Sequence, residues 1–267
     1  MDANPSTALA GGDQTICSST SAFTGNTPVV GTGVWTLISG AGTITTPSSP
    51  TSALSALSVG ANVFQWTISN GVCPSVNDQV TINVNANPTA SNAGVDQTIC
   101  ATTSAFTGNT PAIGSGIWTL VSGAGIISTP SIYNSNVTGL SVGANFFQWT
   151  ISNAPCAAST STVTITGVTT PTTAAAGPNQ TLCSTSATFA GNTPTSGTGT
   201  WTLVSGAGTI TTPGSPTSTV TGLGLGANVF QWTISNPPCA SSSSTVTITN
   251  TGGPTTSAAG ANFINYI

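Results

Sequence analysis

The chain is one 83-residue unit written three times with no insertion or deletion. Cys17, Cys100 and Cys183 keep that step, and so do Cys73, Cys156 and Cys239. The tryptophans hold the same register, Trp35, Trp118 and Trp201 in one series and Trp66, Trp149 and Trp232 in another. A period of this length is too long for one coil of a solenoid and suits a small domain with its own core, so the chain should be domains in tandem. The expected boundaries are 1–87, 88–170 and 171–253 for three repeats. Residues 254–267 read as the first strand of a fourth repeat, because 254–260 (PTTSAAG) aligns with 171–177 (PTTAAAG) before the pattern breaks off.

Within the first repeat, turn residues cut the chain into short β-rich runs. The clearest are 34–39 (VWTLIS), 62–69 (NVFQWTIS) and 79–85 (QVTINVN), with weaker ones near 13–17, 21–24, 43–45 and 52–57. Phe64, Trp66 and Ile68 alternate with Val63, Gln65 and Thr67, the period of a strand with one buried face. Trp35 with Leu37, and Val80 with Ile82 and Val84, should supply matching inward faces. Gly25-Asn26-Thr27-Pro28, Gly40-Ala41-Gly42 and Gly60-Ala61-Asn62 recur with the period and read as the turns between them. The expected fold class is therefore all-β: three tandem immunoglobulin-like β-sandwich domains of about seven strands each, with a closed barrel as the alternative.

Composition removes whole classes of function. The chain has no Lys, Arg, His or Glu, and its charge comes from Asp2, Asp13, Asp78 and Asp96. General acid–base catalysis, oxyanion stabilisation and most metal sites need residue types that are missing, so neither an enzyme nor a cofactor is expected. Nucleic acid is excluded as a partner, since phosphate binding draws on Lys and Arg. The apolar residues fall in short alternating runs far below the ~20 a spanning helix needs, so no membrane insertion is expected. Fixed Trp, Phe, Val and Ile positions argue against disorder.

Two cysteines per repeat, 56 residues apart and without histidine, read as disulfides rather than zinc ligands, and disulfides imply a secreted, extracellular or cell-surface protein. Met1 is followed by polar residues and not by a secretory leader, so the chain is read as a mature or excised region. Symmetry and loop closure favour one bridge inside each repeat, Cys17 to Cys73, Cys100 to Cys156 and Cys183 to Cys239, because each domain must fold alone. The symmetric rival joins Cys73 to Cys100 and Cys156 to Cys183.

At DQTIC (13–17 and 96–100), GTGVWTLISGAGTIT (31–45) and FQWTISNGVCP (64–74) the chain resembles the PKD-like, immunoglobulin-like repeats of large secreted Bacteroidota surface proteins. The heptapeptide FQWTISN stands verbatim at Phe64, Phe147 and Phe230, and the resemblance covers residues 3 to 253 or so. It implies extracellular sandwich repeats acting as stalks, adhesins or filament components, with no catalytic residues to carry over.

The remaining candidates are few. Asp13 and Asp96, with Asn179 in the third repeat, could ligate calcium, but one acid per repeat falls short of a calcium shell and an Asx turn is preferred. The tryptophans could stack on sugar, yet their strand phase points to the core. The tail residues Phe263, Ile264, Tyr266 and Ile267 form an apolar strand without a domain, and read as a contact to a neighbouring subunit, with folding back onto the third repeat as the alternative. The expected function is a non-enzymatic structural rod or self-assembling filament in which the chain is its own partner. The alternative is an adhesin segment or carbohydrate-binding module that recognises a glycan or a surface.

Overall fold

β-Strands form where the alternation predicts them. The computed structural model describes residues 3–253. The first repeat contains β1 (Gln14–Ile16), β2 (Ser21–Ala22), β3 (Thr32–Ser39), β4 (Thr43–Ile44), β5 (Ala53–Ser55), β6 (Gly60–Ser69) and β7 (Val76–Val84). The second contains β8 (Gln97–Ile99), β9 (Thr103–Ala105), β10 (Ser115–Ser122), β11 (Ile126–Ile127), β12 (Asn136–Thr138), β13 (Gly143–Ser152) and β14 (Ser159–Gly167). The third repeats the set as β15 (Gln180–Leu182), β16 (Ser186–Thr188), β17 (Thr198–Ser205), β18 (Thr209–Ile210), β19 (Thr219–Thr221), β20 (Gly226–Ser235) and β21 (Ser242–Asn250). Each repeat thus has the expected seven strands. No helix among the described residues is long and apolar enough to cross a membrane.

Each repeat builds two sheets. In the first, a four-stranded sheet runs β1-β7-β6-β3 and a three-stranded sheet runs β2-β5-β4, and both orders recur in the other repeats. The pairings are antiparallel except at one place: β1 runs parallel to β7, with Gln14 opposite Ile82 and Ile16 opposite Val84. That strand carries the first cysteine of the repeat at its end, and its direction decides where the cysteine goes.

The chain divides into two units, each described by itself. One holds the residues up to Asp96 with Thr103–Gly139 and Asn145–Thr164; the other holds Gln97–Thr102, Leu140–Ala144 and the residues from Ile165 on. In the first unit, Phe64, Trp66, Ile68, Val80, Ile82 and Val84 form the inner face of the large sheet and are buried with Phe23, Trp35 and Leu54. Phe23 stacks on Trp35 at 3.6 Å between centroids, and Trp35 tilts against Trp66 at 5.0 Å. In the second unit the same set, Phe189, Trp201, Phe230, Trp232, Ile234, Val246 and Ile248, makes the core of the third repeat. Burial of such rings supplies most of the folding free energy, at roughly 1.5–3 kcal/mol per large side chain.

Two sequence expectations change here. Leu37 has the strand phase of Trp35 but is 40% exposed, because the β3–β6 register shifts between Leu37 and Ser39 and the bulge bends the end of β3 away from the core. Asn62 does more than tolerate a turn. It is fully buried, its Oδ1 accepts from the Ala41 N–H and the Ser58 hydroxyl at 2.8 Å each, and its Nδ2 donates to the carbonyls of Ser58, Gly60 and Ile82. One side chain thereby ties the Gly40-Ala41-Gly42 turn to the start of β6, and Asn228 does the same for Ala207 in the third repeat.

Glycine inside β3 is explained by the tryptophan beside it. A Cβ on Gly33 would stand against Cζ2 and Cη2 of the Trp66 indole, and Gly116 and Gly199 face Trp149 and Trp232 in the same way. The missing side chain is what lets the indole lie flat over the strand.

Candidate functional site

The parallel pairing of β1 with β7 places Cys17 where the chain leaves its own repeat. The Asn85 N–H donates to the Ile16 carbonyl at 2.7 Å, so Cys17 follows directly at the start of the connection to the second repeat. Val168 and Thr251 make the equivalent bonds to Ile99 and Leu182, at 2.8 and 2.9 Å. The second cysteine is presented at the opposite end. After β6, the chain turns at 70–73, with the Cys73 N–H donating to the Asn70 carbonyl at 3.1 Å; the turns before Cys156 and Cys239 close likewise at 2.9 Å.

Cys17 therefore lies near the beginning of β6, where Gly60 pairs with Val84, and Cys73 lies past its end. Ten residues of β6 separate the two levels, about 30 Å at the rise of a strand. A disulfide needs α-carbons about 5–6 Å apart, so the expected bridges inside each repeat do not form. The bridges present are Cys17 to Cys156, with α-carbons 5.3 Å apart, and Cys100 to Cys239, at 5.0 Å. Both span 139 residues and join the first cysteine of one repeat to the second cysteine of the next. The rival pairing of Cys73 with Cys100 and Cys156 with Cys183 is overturned with the intradomain one. Cys73, half-buried, and Cys183, exposed, stand outside the two bridges.

Each bridge lies inside one of the two units and is reinforced by asparagine. In the first unit Asn153, three residues before Cys156, donates from Nδ2 to the Ala86 carbonyl at 2.8 Å, while Asn85 donates to the Ala154 carbonyl at 2.7 Å. In the second, Asn236 donates to the Thr169 carbonyl at 2.8 Å. The same grip recurs at the start of the chain, where Asn70 donates to the Ala3 carbonyl at 2.7 Å. Asn70, Asn153 and Asn236 close the FQWTISN heptapeptide, and their fixed position three residues before a cysteine is the signal of their role. Cys156 and Cys239 are buried, at 7% and 9% exposed, while Cys17 and Cys100 are half-buried. In the chain-entropy picture a closed loop of this length stabilises by roughly 5 kcal/mol.

The other candidates resolve into structural roles. Asp13 Oδ1 accepts from the Thr81 N–H at 2.8 Å, and Asp96 and Asn179 accept from Thr164 and Thr247 at the same distance. That bond pins the approach to β1 against β7 and works equally with carboxylate or amide, which is why Asn replaces Asp. No group of three or more His, Cys, Asp or Glu able to hold a metal occurs among the described residues. All six tryptophans are at most 2% exposed and offer no face to a sugar. A shallow cleft of about 210 Å³ lies in the second unit beside Cys100, Leu140, Val142 and Gly167, below the ~300 Å³ where small-molecule sites begin. The tail residues Phe263, Ile264, Tyr266 and Ile267 lie outside the described residues.

No family model and no curated protein matches the chain. Among solved structures, a titin fragment of the three immunoglobulin domains I67–I69, in an E-to-A variant, aligns with a TM-score of 0.53 and 16% identity over 94% of this chain and 100% of that one. Sidekick-1 immunoglobulin domains 1–5 align with a TM-score of 0.41 and 12% identity, over 94% of this chain and 60% of theirs. The insect immune protein hemolin aligns at 0.38 and 10%, over 91% and 75%. The titin likeness agrees with the sheet topology: the chain is three tandem immunoglobulin-like β-sandwich domains.

Proposed function

We propose that the chain is a non-enzymatic extracellular structural protein, in which the repeats 1–87, 88–170 and 171–253 are joined in series as part of a cell-surface rod or filament. The observation that carries this reading is the repeat-to-repeat disulfide. A binding module needs each domain intact; a load-bearing array needs its domains held to one another, and here both bridges serve that second need. The resemblance to Bacteroidota surface repeats supports a place outside the cell, as do the disulfides. Sheet edges without a single Lys to guard them favour association between copies. The glycan-binding alternative loses its tryptophans to the core.

Negative-stain electron microscopy of the purified, non-reduced protein tests the reading. Rods or fibres are expected; compact particles that bind a glycan array would overturn it. The tail residues Phe263, Ile264, Tyr266 and Ile267 are proposed to add as a strand to a neighbouring copy. Deleting 261–267 should then shorten fibres while leaving both disulfides in place, and unchanged fibres would refute the tail's part.

A further inference from the structure

The second repeat departs from the other two at its surface. At six positions it has a large apolar side chain where the third repeat has a smaller or more polar one: Ile113 for Ser196, Ile117 for Thr200, Ile126 for Thr209, Ile132 for Ser215, Tyr133 for Pro216 and Phe146 for Val229. The first repeat has Val30, Val34, Thr43, Ser49, Pro50 and Val63 at the same places. None of the six fills the core. Ile126 is 71% exposed and the other five are 37–49% exposed. Large apolar side chains gathered on a surface mark a place where something docks.

The six gather along one side of the second sandwich, within the first unit. There β10 and β11, the edge strands of its two sheets, lie next to each other. Ile117 lies on the outer side of β10, beside the buried Trp118, and Ile126 is in β11. The loop 128–135 runs along the β10 edge, because the Trp118 N–H donates to the Pro130 carbonyl at 2.8 Å and the Trp118 indole N–H to the Tyr133 carbonyl at 3.1 Å. Those two bonds bring Ile132 and Tyr133 to the same side. Ile113 is in the loop that enters β10, and Phe146, on the outer side of β13, pairs with Ser122 at the far end of β10.

We propose that this side is where two copies of the chain pair, second repeat to second repeat, about a two-fold axis. The inference rests on the reading of the chain as its own partner and names one contact for it. The occupant follows from charge. Among the described residues the charged side chains are Asp13 and Asp78, in the first repeat, and Asp96, which precedes β8 at the opposite edge of the large sheet. A partner with ordinary surface charges would bury some of them against a face that has nothing to pair them, whereas a second copy brings the same uncharged face. Sugar fits less well, since four of the six side chains are isoleucine and offer neither a flat ring nor a hydrogen bond. Each chain carries the face once, so pairing stops at two copies and ties them side by side.

The test uses the full chain with the photo-cross-linker p-benzoylphenylalanine in place of Ile132, read on reducing, denaturing gels and by mapping cross-linked thermolysin peptides. Irradiation should give a band at twice 26.1 kDa and nothing larger, with cross-links mapping to 113–146 of the other copy. The same probe at Ser49 or Ser215, the equivalent places in the first and third repeats, should give no such band. A variant combining Ile117→Thr, Ile126→Thr and Phe146→Val, with the probe kept at 132, should lose the band while unfolding in urea as cooperatively as its parent, because the third repeat folds with those same residues. No band from the probe at 132, an equal band from the probe at 49 or 215, cross-links mapping outside 113–146, or a band that survives the triple variant would each overturn the pairing. Microscopy separates this failure from that of the structural reading: rods or fibres without the band sink the pairing alone, whereas compact particles that bind a glycan array sink the reading itself.

Discussion

The bridge pattern makes a prediction about length under force. The shortest covalent route from Cys17 to Cys239 crosses the first bridge to Cys156, runs back along the backbone to Cys100, and crosses the second bridge. Only the 56 residues between Cys100 and Cys156 are stretched, although Cys17 and Cys239 are 222 residues apart. At about 3.4 Å per extended residue that route reaches roughly 200 Å, against roughly 750 Å when both bridges are reduced. A single molecule held by its ends in optical tweezers should therefore gain about 550 Å of contour length on adding reductant. Intradomain bridges would give nearly the same total, so point variants must separate the two patterns. Cys183→Ser should leave the oxidised length unchanged; an intradomain pattern loses a bridge and lengthens by roughly 190 Å. Cys156→Ser should add about 90 Å, because the route then follows the 83 residues from Cys17 to Cys100 before the remaining bridge. A lengthening of the Cys183→Ser molecule by roughly 190 Å would refute the pairing.

Two predictions concern the fold of each repeat. Gly33→Ala puts a Cβ against the Trp66 indole and should destabilise the first repeat by about 2–3 kcal/mol, measured by urea unfolding followed through tryptophan fluorescence; an effect under about 0.5 kcal/mol would show that the ring shifts freely. Ala56 has a φ of 53° where the other repeats carry Gly139 and Gly222 at 69° and 70°. Ala56→Gly should stabilise the first repeat by about 0.5–1 kcal/mol, and Gly139→Ala should destabilise the second by a similar amount, with no steric term because space around Gly139 is open. The same unfolding assay checks both.

The sequence was most readable where the physics is local. Alternation along 62–69 located β6 and its buried face, since a strand with one side in the core must repeat every second residue. The tryptophans were placed in the core for the same reason. Leu37 shares that alternation and still faces solvent, because a bulge is a property of two strands and leaves no mark in one. Asn62 is legible as a turn residue but not as a buried hub, whose five bonds depend on partners from three segments. The disulfide pairing escapes the sequence because it depends on strand direction. Nothing in DQTIC says that β1 runs parallel to β7, and an antiparallel β1 would have carried Cys17 toward the 70–73 turn. That one pairing moves Cys17 by the length of β6 and converts a bridge within a domain into a bridge between domains.

The advantage of such a bridge is tolerance of damage, and this too can be measured. Connections between domains are the exposed segments that proteases cut first. With one bridge inside each repeat, a single cut in a connection would sever the array. With Cys17 joined to Cys156 and Cys100 joined to Cys239, any single cut between residues 17 and 239 leaves the chain in one piece. A cut before Cys100 leaves the amino-terminal fragment held through Cys17. A cut after Cys156 leaves the carboxy-terminal fragment held through Cys239, and a cut between them is spanned by both bridges. Limited thermolysin digestion to about one cut per molecule should therefore give a full-length band on a non-reducing gel and repeat-sized fragments once reductant is added. For a chain with no Lys, Arg or Glu to hold its domains together by ion pairs, the covalent link is the contact that salt, dilution and a nick all leave intact. Repeat-sized fragments already free on the non-reducing gel, from cuts mapped to the 85–90 connection, would show that the repeats are not joined in this way.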